Sequence, residues 1–400
     1  MLALTHCTLI DGSGGPPIPD TDVLLDGDAI LRVGHGLPLP PGAQALDLTG
    51  KFLLPGFIDA HTHLGSSADL KRPPVAGRFV TYDYAQHREQ ALEWGVTTVR
   101  SAGDYMPDVL EVRDLAEQGA LRSPRILAAG KVFQADGGHP GFSVYFGDPD
   151  ILEHVCILVR EDTDLEGEVA ALARAGADWV KIFLSDDNKM KYPCTVPKLT
   201  IPQVERIVRA AHANGLPVMC HVDDATDLEQ ALTAGVDTIE HVINVATQDH
   251  TFAPALLERL ADSDTWVVPT MVATKLHDGS IPGAPPVWPA LHKAVGQMIQ
   301  AGVKLGVGCD SGIPFVPYGE CVHMEMELLR DAGMSELQAI AAATGGNASM
   351  LKRAEQFGTV RPGLAADLVV LGSDPLQDIR NTRDIRLVLR AGQIVFDRLI

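Results

Sequence analysis

Phe57-Ile58-Asp59-Ala60-His61-Thr62-His63 sets two imidazoles two residues apart on a run that reads as a β-strand. Side chains alternate across a strand, so His61 and His63 are expected to project to one face. Two imidazoles buried together without a ligand are costly, and the pair reads as metal ligands ahead of hydrogen-bonded core histidines. Beyond this strand the chain repeats one grammar. An Ala-rich helix ends in Gly and an apolar strand begins, as at Ala175-Gly176-Ala177, Ala234-Gly235-Val236 and Ala301-Gly302-Val303. Strands are predicted over 57–63, 97–103, 125–133, 177–183, 217–222, 238–242, 265–271 and 304–310. Helices are predicted between them, among them 204–214, closing on Asn214-Gly215, and 227–234. This alternation predicts an α/β fold, a (β/α)8 TIM barrel; no GxGxxG follows a strand, which argues against a dinucleotide-binding sheet.

The two ends differ from the middle. Short strands broken by Gly and Pro are predicted over 22–25 and 29–33, and again over 367–371 and 385–395. Leu54-Pro55-Gly56 and Val360-Arg361-Pro362-Gly363 punctuate the change of pattern. The expected organisation is a small β-sandwich built from both termini, 1–53 and 359–400, flanking a barrel over 54–358.

Acidic residues outnumber basic ones, 52 to 32, and the net charge of −20 opposes nucleic acid and anionic membranes as partners. The N-terminus lacks a signal-peptide pattern and no run is apolar for the length of a bilayer span, so the chain is expected to be cytoplasmic. A small-molecule substrate is the expected partner, with a homo-oligomer left open. Cys7, Cys156, Cys194, Cys220, Cys309 and Cys321 lack metal-ligand spacing and read as reduced, mostly buried thiols. Cys220 and Cys309 adjoin candidate ligands, but a core-filling role is preferred to a thiolate ligand.

Further chemistry gathers at the C-terminal ends of the predicted strands, where barrels carry their active sites. His221 and His241 end the fifth and sixth strands, and Asp310 ends the eighth. A buried carboxylate at Asp310 needs a cation or strong donors; capping of a following helix is the bland alternative. Lys181 stands among large apolar residues in Asp178-Trp179-Val180-Lys181-Ile182-Phe183. It reads as a base or nucleophile of lowered pKa, or as a lysine carboxylated on its amine to make an anionic bridging ligand.

HxH on strand one, Lys on four, His on five and six and Asp on eight resemble the pattern of the amidohydrolase superfamily. Pro55-Gly56-Phe57-Ile58-Asp59-Ala60-His61-Thr62-His63-Leu64, the stretch from Ala343-Thr344 to Asn347-Ala348, and Pro362-Gly363 through Ala366-Asp367-Leu368-Val369-Val370 carry the same likeness. The nearest branch is the imidazolonepropionase-like and Xaa-Pro dipeptidase-like one. The resemblance implies two divalent metal ions, zinc by default. His61, His63 and Asp310 would bind one, His221 and His241 the other, and carboxylated Lys181 would bridge them. A hydroxide bridging the metals would attack an amide-type C–N bond in a dipeptide, N-acyl compound, cyclic amide, carbamate or urea, with Asp310 as base and then acid.

His139, in Gly137-Gly138-His139-Pro140, resembles the branch's Gly-Gly-His and is assigned to oxyanion or substrate binding, against an ordinary loop histidine. Asp223 stands where relatives that recognise a substrate carboxylate often have tyrosine. It is a candidate substrate contact, and its charge favours a neutral or cationic group. With Asp224 it is also able to cap the next helix. The loops 185–199, with Asp186, Asp187, Lys189 and Lys191, and 273–289, with Gly279, Pro282, Gly283, Pro285 and Pro286, read as lid or specificity elements, or as slack solvated chain. His323, Glu325 and Glu327 read as surface residues or as supports behind the site. A deaminase or lactonase on the same scaffold is the second enzyme reading. An inactive binding or assembly protein is the third, opposed by the presence of every ligand position.

Overall fold

The helices close as their sequences dictate. In the helix Ile201–Ala213, Thr200 and Gln203 form a capping box, Pro202 sits in the first turn, and Val204, Ile207, Val208 and Ala211 are buried at the spacing of one helical face. Gly176, Gly235 and Gly302 end the helices Leu165–Ala175, Ala225–Ala234 and Trp288–Ala301, each in the left-handed conformation that suits glycine. These are the helix-to-strand junctions expected from the sequence. The computed structural model describes residues 1–65, 84–187, 193–242, 252–280 and 283–399. Lys189, Lys191 and Pro282 of the expected loops lie outside them. Among the described residues, no helix is long and apolar enough to cross a membrane.

Five strands precede His61: β1 (Leu2–Leu9), β2 (Ile18–Asp26), β3 (Ala29–Gly34), β4 (Gln44–Asp47) and β5 (Phe52–Pro55). His61 lies on β6 (Phe57–Thr62), followed by β7 (Val96–Ser101), β8 (Arg125–Ala128), β9 (Val132–Ala135), β10 (Cys156–Val159), β11 (Val180–Leu184), β12 (Val218–Val222), β13 (Thr238–His241) and β14 (Trp266–Val268). The chain ends with β15 (Leu368–Leu371), β16 (Ile385–Arg390) and β17 (Gln393–Asp397).

Both termini build one eight-stranded mixed sheet, ordered β17-β16-β15-β5-β1-β2-β3, with β4 paired to β1. Its core of Leu4, Leu9, Val23, Leu25, Leu53, Leu368 and Leu389 is separate from the larger one. The parallel strands form a six-stranded sheet, β10-β9-β11-β12-β13-β14, and a three-stranded one, β6-β7-β8. Residues 304–310 link the two parallel sheets. Gly306 N donates to Val267 O on β14, while Ala60 N donates to Val307 O and Cys309 N and Asp310 N donate to His61 O on β6. Asn347 staples the same seam, accepting from Val307 N and donating to Val307 O and Ile58 O.

Three expected strands take a different form. The third divides into β8 and β9, because β8 pairs with β7 whereas β9 pairs with β10 and β11. The seventh ends at Val268, since Thr270 turns into the left-handed region and Met271 already opens the helix Met271–His277. The eighth makes only isolated bridges, and Gly308 packs so close that an added Cβ would lie 2.8 Å from the Cβ of His61.

His323 and Glu325 belong to the helix Glu320–Asp331 and are fully buried, which corrects the surface reading. His323 lies between Thr382 Oγ1 at 2.9 Å and the Trp94 carbonyl at 3.0 Å, tying the parallel-sheet body to the C-terminal region. Burial, only partly offset by that carbonyl, lowers its pKa to about 3. The unfolded chain therefore binds more protons between about 3 and the ordinary value of 6.5, and stability falls as pH drops through that window. Urea unfolding at several pH values should show an acid limb worth on the order of 4 kcal/mol at its extreme. His323→Gln should flatten that limb; an unchanged slope would contradict the assignment.

Candidate active site

Strands β6, β11, β12 and β13 and the segment 304–310 bring His61, His63, Lys181, His221, His241 and Asp310 into one neighbourhood. The His61 ring centroid lies 5.6 Å from that of His63 and 4.6 Å from that of His241, and His241 lies 4.4 Å from His221. A shift of register in β6 between Asp59 and Thr62 makes this possible. Ile58 and Ala60 pack with Trp179, Met219 and Val268, and the next residue, His61, turns to the same interior. Asp59 holds the shifted backbone by accepting from His61 N, Cys309 N and Ser311 Oγ.

The ring nitrogens have assignable roles. His61 Nδ1 is 2.5 Å from the carboxylate oxygen Glu240 Oε2, and His63 Nδ1 is 2.9 Å from the Gly103 carbonyl. Neither partner has a proton to give, so both rings carry theirs on Nδ1. Their Nε2 atoms face Asp310 Oδ1 at 3.5 Å and 3.1 Å. Among the described residues, His61 Nε2, Lys181 Nζ and Asp310 Oδ1 are buried without a hydrogen-bond partner. Two imidazole lone pairs and a carboxylate oxygen this close call for a cation between them. His61, His241 and Asp310 offer donor atoms all within 4.8 Å of one another, so the donor set fits a divalent metal.

Electrostatics agree with that chemistry at His61 and His241, whereas at His63 burial is outweighed by Asp310, which raises its pKa. Burial opposes ionisation of Asp310, but His63, His241 and His61 hold its carboxyl well below the ordinary range. Burial lowers His61 to about 4, helped by Lys181, and lowers His241 well below the ordinary range, helped by His221 and His61. Neutral imidazole is the ligating form. Burial also lowers Lys181 to about 8, against the pull of Glu240 and Asp310.

His139 is buried with its Nδ1 2.6 Å from Ser143 Oγ and its ring 5.0 Å from that of His221, so it borders the cluster. Asp223 is buried as well. Ser185 Oγ donates to its Oδ2, and its Oδ1 is 3.2 Å from His221 Nε2. Of the two helix-capping candidates only Asp224 caps, accepting from Asp227 N. Asp187 and Thr195 form a bridge across the loop after β11, and Lys198 there is paired to Asp227 at 2.8 Å and Asp186 at 3.4 Å. All six cysteines are free thiols, with only Cys194 exposed.

Apart from Glu325, the supports behind the site go unread in the sequence. Glu240 is fully buried beside His241, and Arg100 Nη2 and Thr238 Oγ1 donate to its Oε1 at 2.8 Å and 2.5 Å. Burial alone would raise Glu240, yet Arg100, His61 and Lys181 hold it at about 2. Asp104 accepts from Leu64 N, Gly65 N and Ser101 Oγ, fixing the chain just after His63. Glu325 accepts from Met271 N and Val272 N, next to Thr270, whose Oγ1 is 2.9 Å from His241 Nδ1. A cavity of about 30 Å³ beside His63 is lined by Gly65, Gly103, Asp104, Tyr105, Tyr145 and Ile151.

A two-sheet parallel body with histidines, a lysine and an aspartate converging at its strand ends defines a family: the chain matches the amidohydrolase family over residues 52–395 and belongs to it, as a hydrolase. Individual relatives give a narrower likeness. The chain is 27% identical to an imidazolonepropionase of Streptomyces griseus over 388 residues, covering 90% of this chain and 88% of that one. Among solved structures it is similar to a Xaa-Pro dipeptidase with bound methionine in the active site, at 25% identity and a TM-score of 0.85, over 98% of this chain and 99% of that one. It is likewise similar to phenylurea hydrolase B, at 27% identity and a TM-score of 0.84, over 100% and 97%.

Proposed function

We propose that this chain is a binuclear metal-dependent amidohydrolase that cleaves an amide-type C–N bond of a small molecule. The observation that carries this reading is the convergence of His61 Nε2, Lys181 Nζ and Asp310 Oδ1, buried and unsatisfied. Residues 304–310 bond to both β14 and β6, which supports a closed (β/α)8 barrel over 54–358, with 1–53 and 359–400 as the small domain. His61, His63 and Asp310 would hold one ion, His221 and His241 the other, and Lys181, carboxylated on Nζ, would bridge them. Two dications there, zinc in the first instance, supply Lewis acidity toward water and a carbonyl.

The side chains supply the rest. Asp310, its carboxylate set against Nε2 of His61 and His63, takes the proton of the attacking water on a carboxylate oxygen. It then gives that proton to the departing nitrogen, so the amine leaves neutral. His139, braced by Ser143, is placed beside His221 to donate to the substrate carbonyl oxygen. Asp223 sets a buried carboxylate against His221, and this favours neutral or cationic substrates over those ending in a carboxylate.

Metal analysis and a substrate panel test the reading. Purified protein should carry about two metal equivalents. A chelator should abolish hydrolysis, and added metal should restore it. Among dipeptides, N-acyl amino acids, their carboxamides, carbamates, ureas and lactones, C–N substrates without a carboxylate should be turned over. Activity that survives metal removal, or a profile limited to lactones, would refute the proposal.

A further inference from the structure

Arg100 and Glu240 are an arginine and a glutamate with no exposure to solvent, set in the interior beneath the histidines. Burying such a pair is expensive, and well-packed apolar residues of similar volume often do as well or better for stability alone. The contacts suggest what the pair is for. The Arg100 guanidinium reaches from β7 in three directions: Nε donates to the Ala60 carbonyl at 2.6 Å, Nη1 to Thr238 Oγ1 at 3.1 Å and Nη2 to Glu240 Oε1 at 2.8 Å. Its Cζ lies over the Trp179 ring at 4.5 Å, a cation–π contact that adds a fourth hold on the group. Glu240 spends Oε1 on Arg100 and Thr238 and turns Oε2 to His61 Nδ1 at 2.5 Å.

We propose that Arg100 and Glu240 are positioning residues for the metal site, locking His61 in the Nδ1–H tautomer so that its Nε2 lone pair is aimed at the ion. Glu240 accepts the Nδ1 proton and thereby raises the donor strength of Nε2. Arg100 prevents the carboxylate from rotating away and also pins the Ala60 carbonyl, immediately before the residue whose direction the register shift in β6 sets. The inference rests on the metal-dependent reading of the site. It assigns no bond-making to either residue.

Glu240→Gln keeps the shape but replaces one oxygen with an NH2 group. Either the amide offers its donors to Arg100, or it offers them to His61 Nδ1 and drives the ring proton onto Nε2, where it blocks ligation. Metal affinity should fall by about 10- to 100-fold. Arg100→Met combined with Glu240→Leu removes both charges. It should leave the metal-free protein as stable as wild type or more so, with metal affinity reduced by a similar factor.

The measurements are metal dissociation constants by competition with a chelator, the visible spectrum of the cobalt(II)-loaded proteins, and the thermal midpoint without metal. Weakened binding and an altered cobalt spectrum in a folded variant support the assignment. Wild-type affinity and spectrum in either folded variant would overturn it and leave the proposed function standing. Wild-type protein that binds no metal would overturn both.

Discussion

Asp310→Asn should lower turnover by about 10²- to 10⁴-fold, the usual range for removing a positioned general acid–base, with the fold intact by circular dichroism. Asparagine keeps the volume and one acceptor oxygen but can neither take a proton from water nor return it to the departing nitrogen. The damage extends to binding, because Asp310 Oδ1 faces His63 Nε2 at 3.1 Å and His61 Nε2 at 3.5 Å, where a neutral amide offers a cation less than a carboxylate does. Steady-state kinetics at saturating metal separates the two losses. A weaker metal site alone would be corrected by excess metal, whereas the missing proton acceptor would not. Wild-type turnover in Asp310→Asn would remove Asp310 from the chemistry.

The second large effect is expected at Lys181→Ala, which should reduce metal content from about two equivalents to one and cut activity by at least about 100-fold. Lys181 is completely buried and its Nζ has no hydrogen-bond partner, an arrangement that packing does not explain. A carbamate on Nζ would turn an ammonium without a hydrogen-bond partner, resting over the Phe183 ring at 4.8 Å, into an anionic bridge and remove that cost. Metal analysis of the dialysed variant gives the count, and mass spectrometry under mild conditions looks for the added carboxyl group in the wild type. Two equivalents and full activity in Lys181→Ala would rule out the bridging role.

Much of this architecture is legible in the chain because it is periodic. The Ala-Gly-apolar junctions at Gly176, Gly235 and Gly302 are physical requirements of a helix ending in a left-handed turn, and each one marks the start of a strand segment. The candidate ligand positions are legible for a related reason. His61, Lys181, His221 and Asp310 are polar residues in otherwise apolar runs, and such residues are costly unless something pairs with them. The divided third strand and the bridged eighth depend on which neighbours pair and how closely Gly308 meets His61, and no local pattern carries that.

The same limit hides the supporting groups. Arg100 and Glu240 stand among threonines and other polar neighbours, so they do not break an apolar run as Lys181 does; they also lie 140 positions apart, and their pairing becomes visible only once β7 and β13 share an interior. Glu325 and His323 read as surface or supporting residues on a helix, and nothing in an amphipathic pattern reveals that Met271 N, Val272 N and the Trp94 carbonyl await them. Asp223 shows the reverse case. Its charge is legible, while its attachment to Ser185 and His221 is not.

Anomalous diffraction from crystals of the metal-loaded protein, recorded on both sides of the metal absorption edge, tests the central claim most directly. Two peaks are expected, one held by His61, His63 and Asp310 and the other by His221 and His241, with density for a carboxyl group on Lys181 Nζ joining them. A single peak beside an unmodified Lys181, or no peak among these residues in active protein, would contradict it.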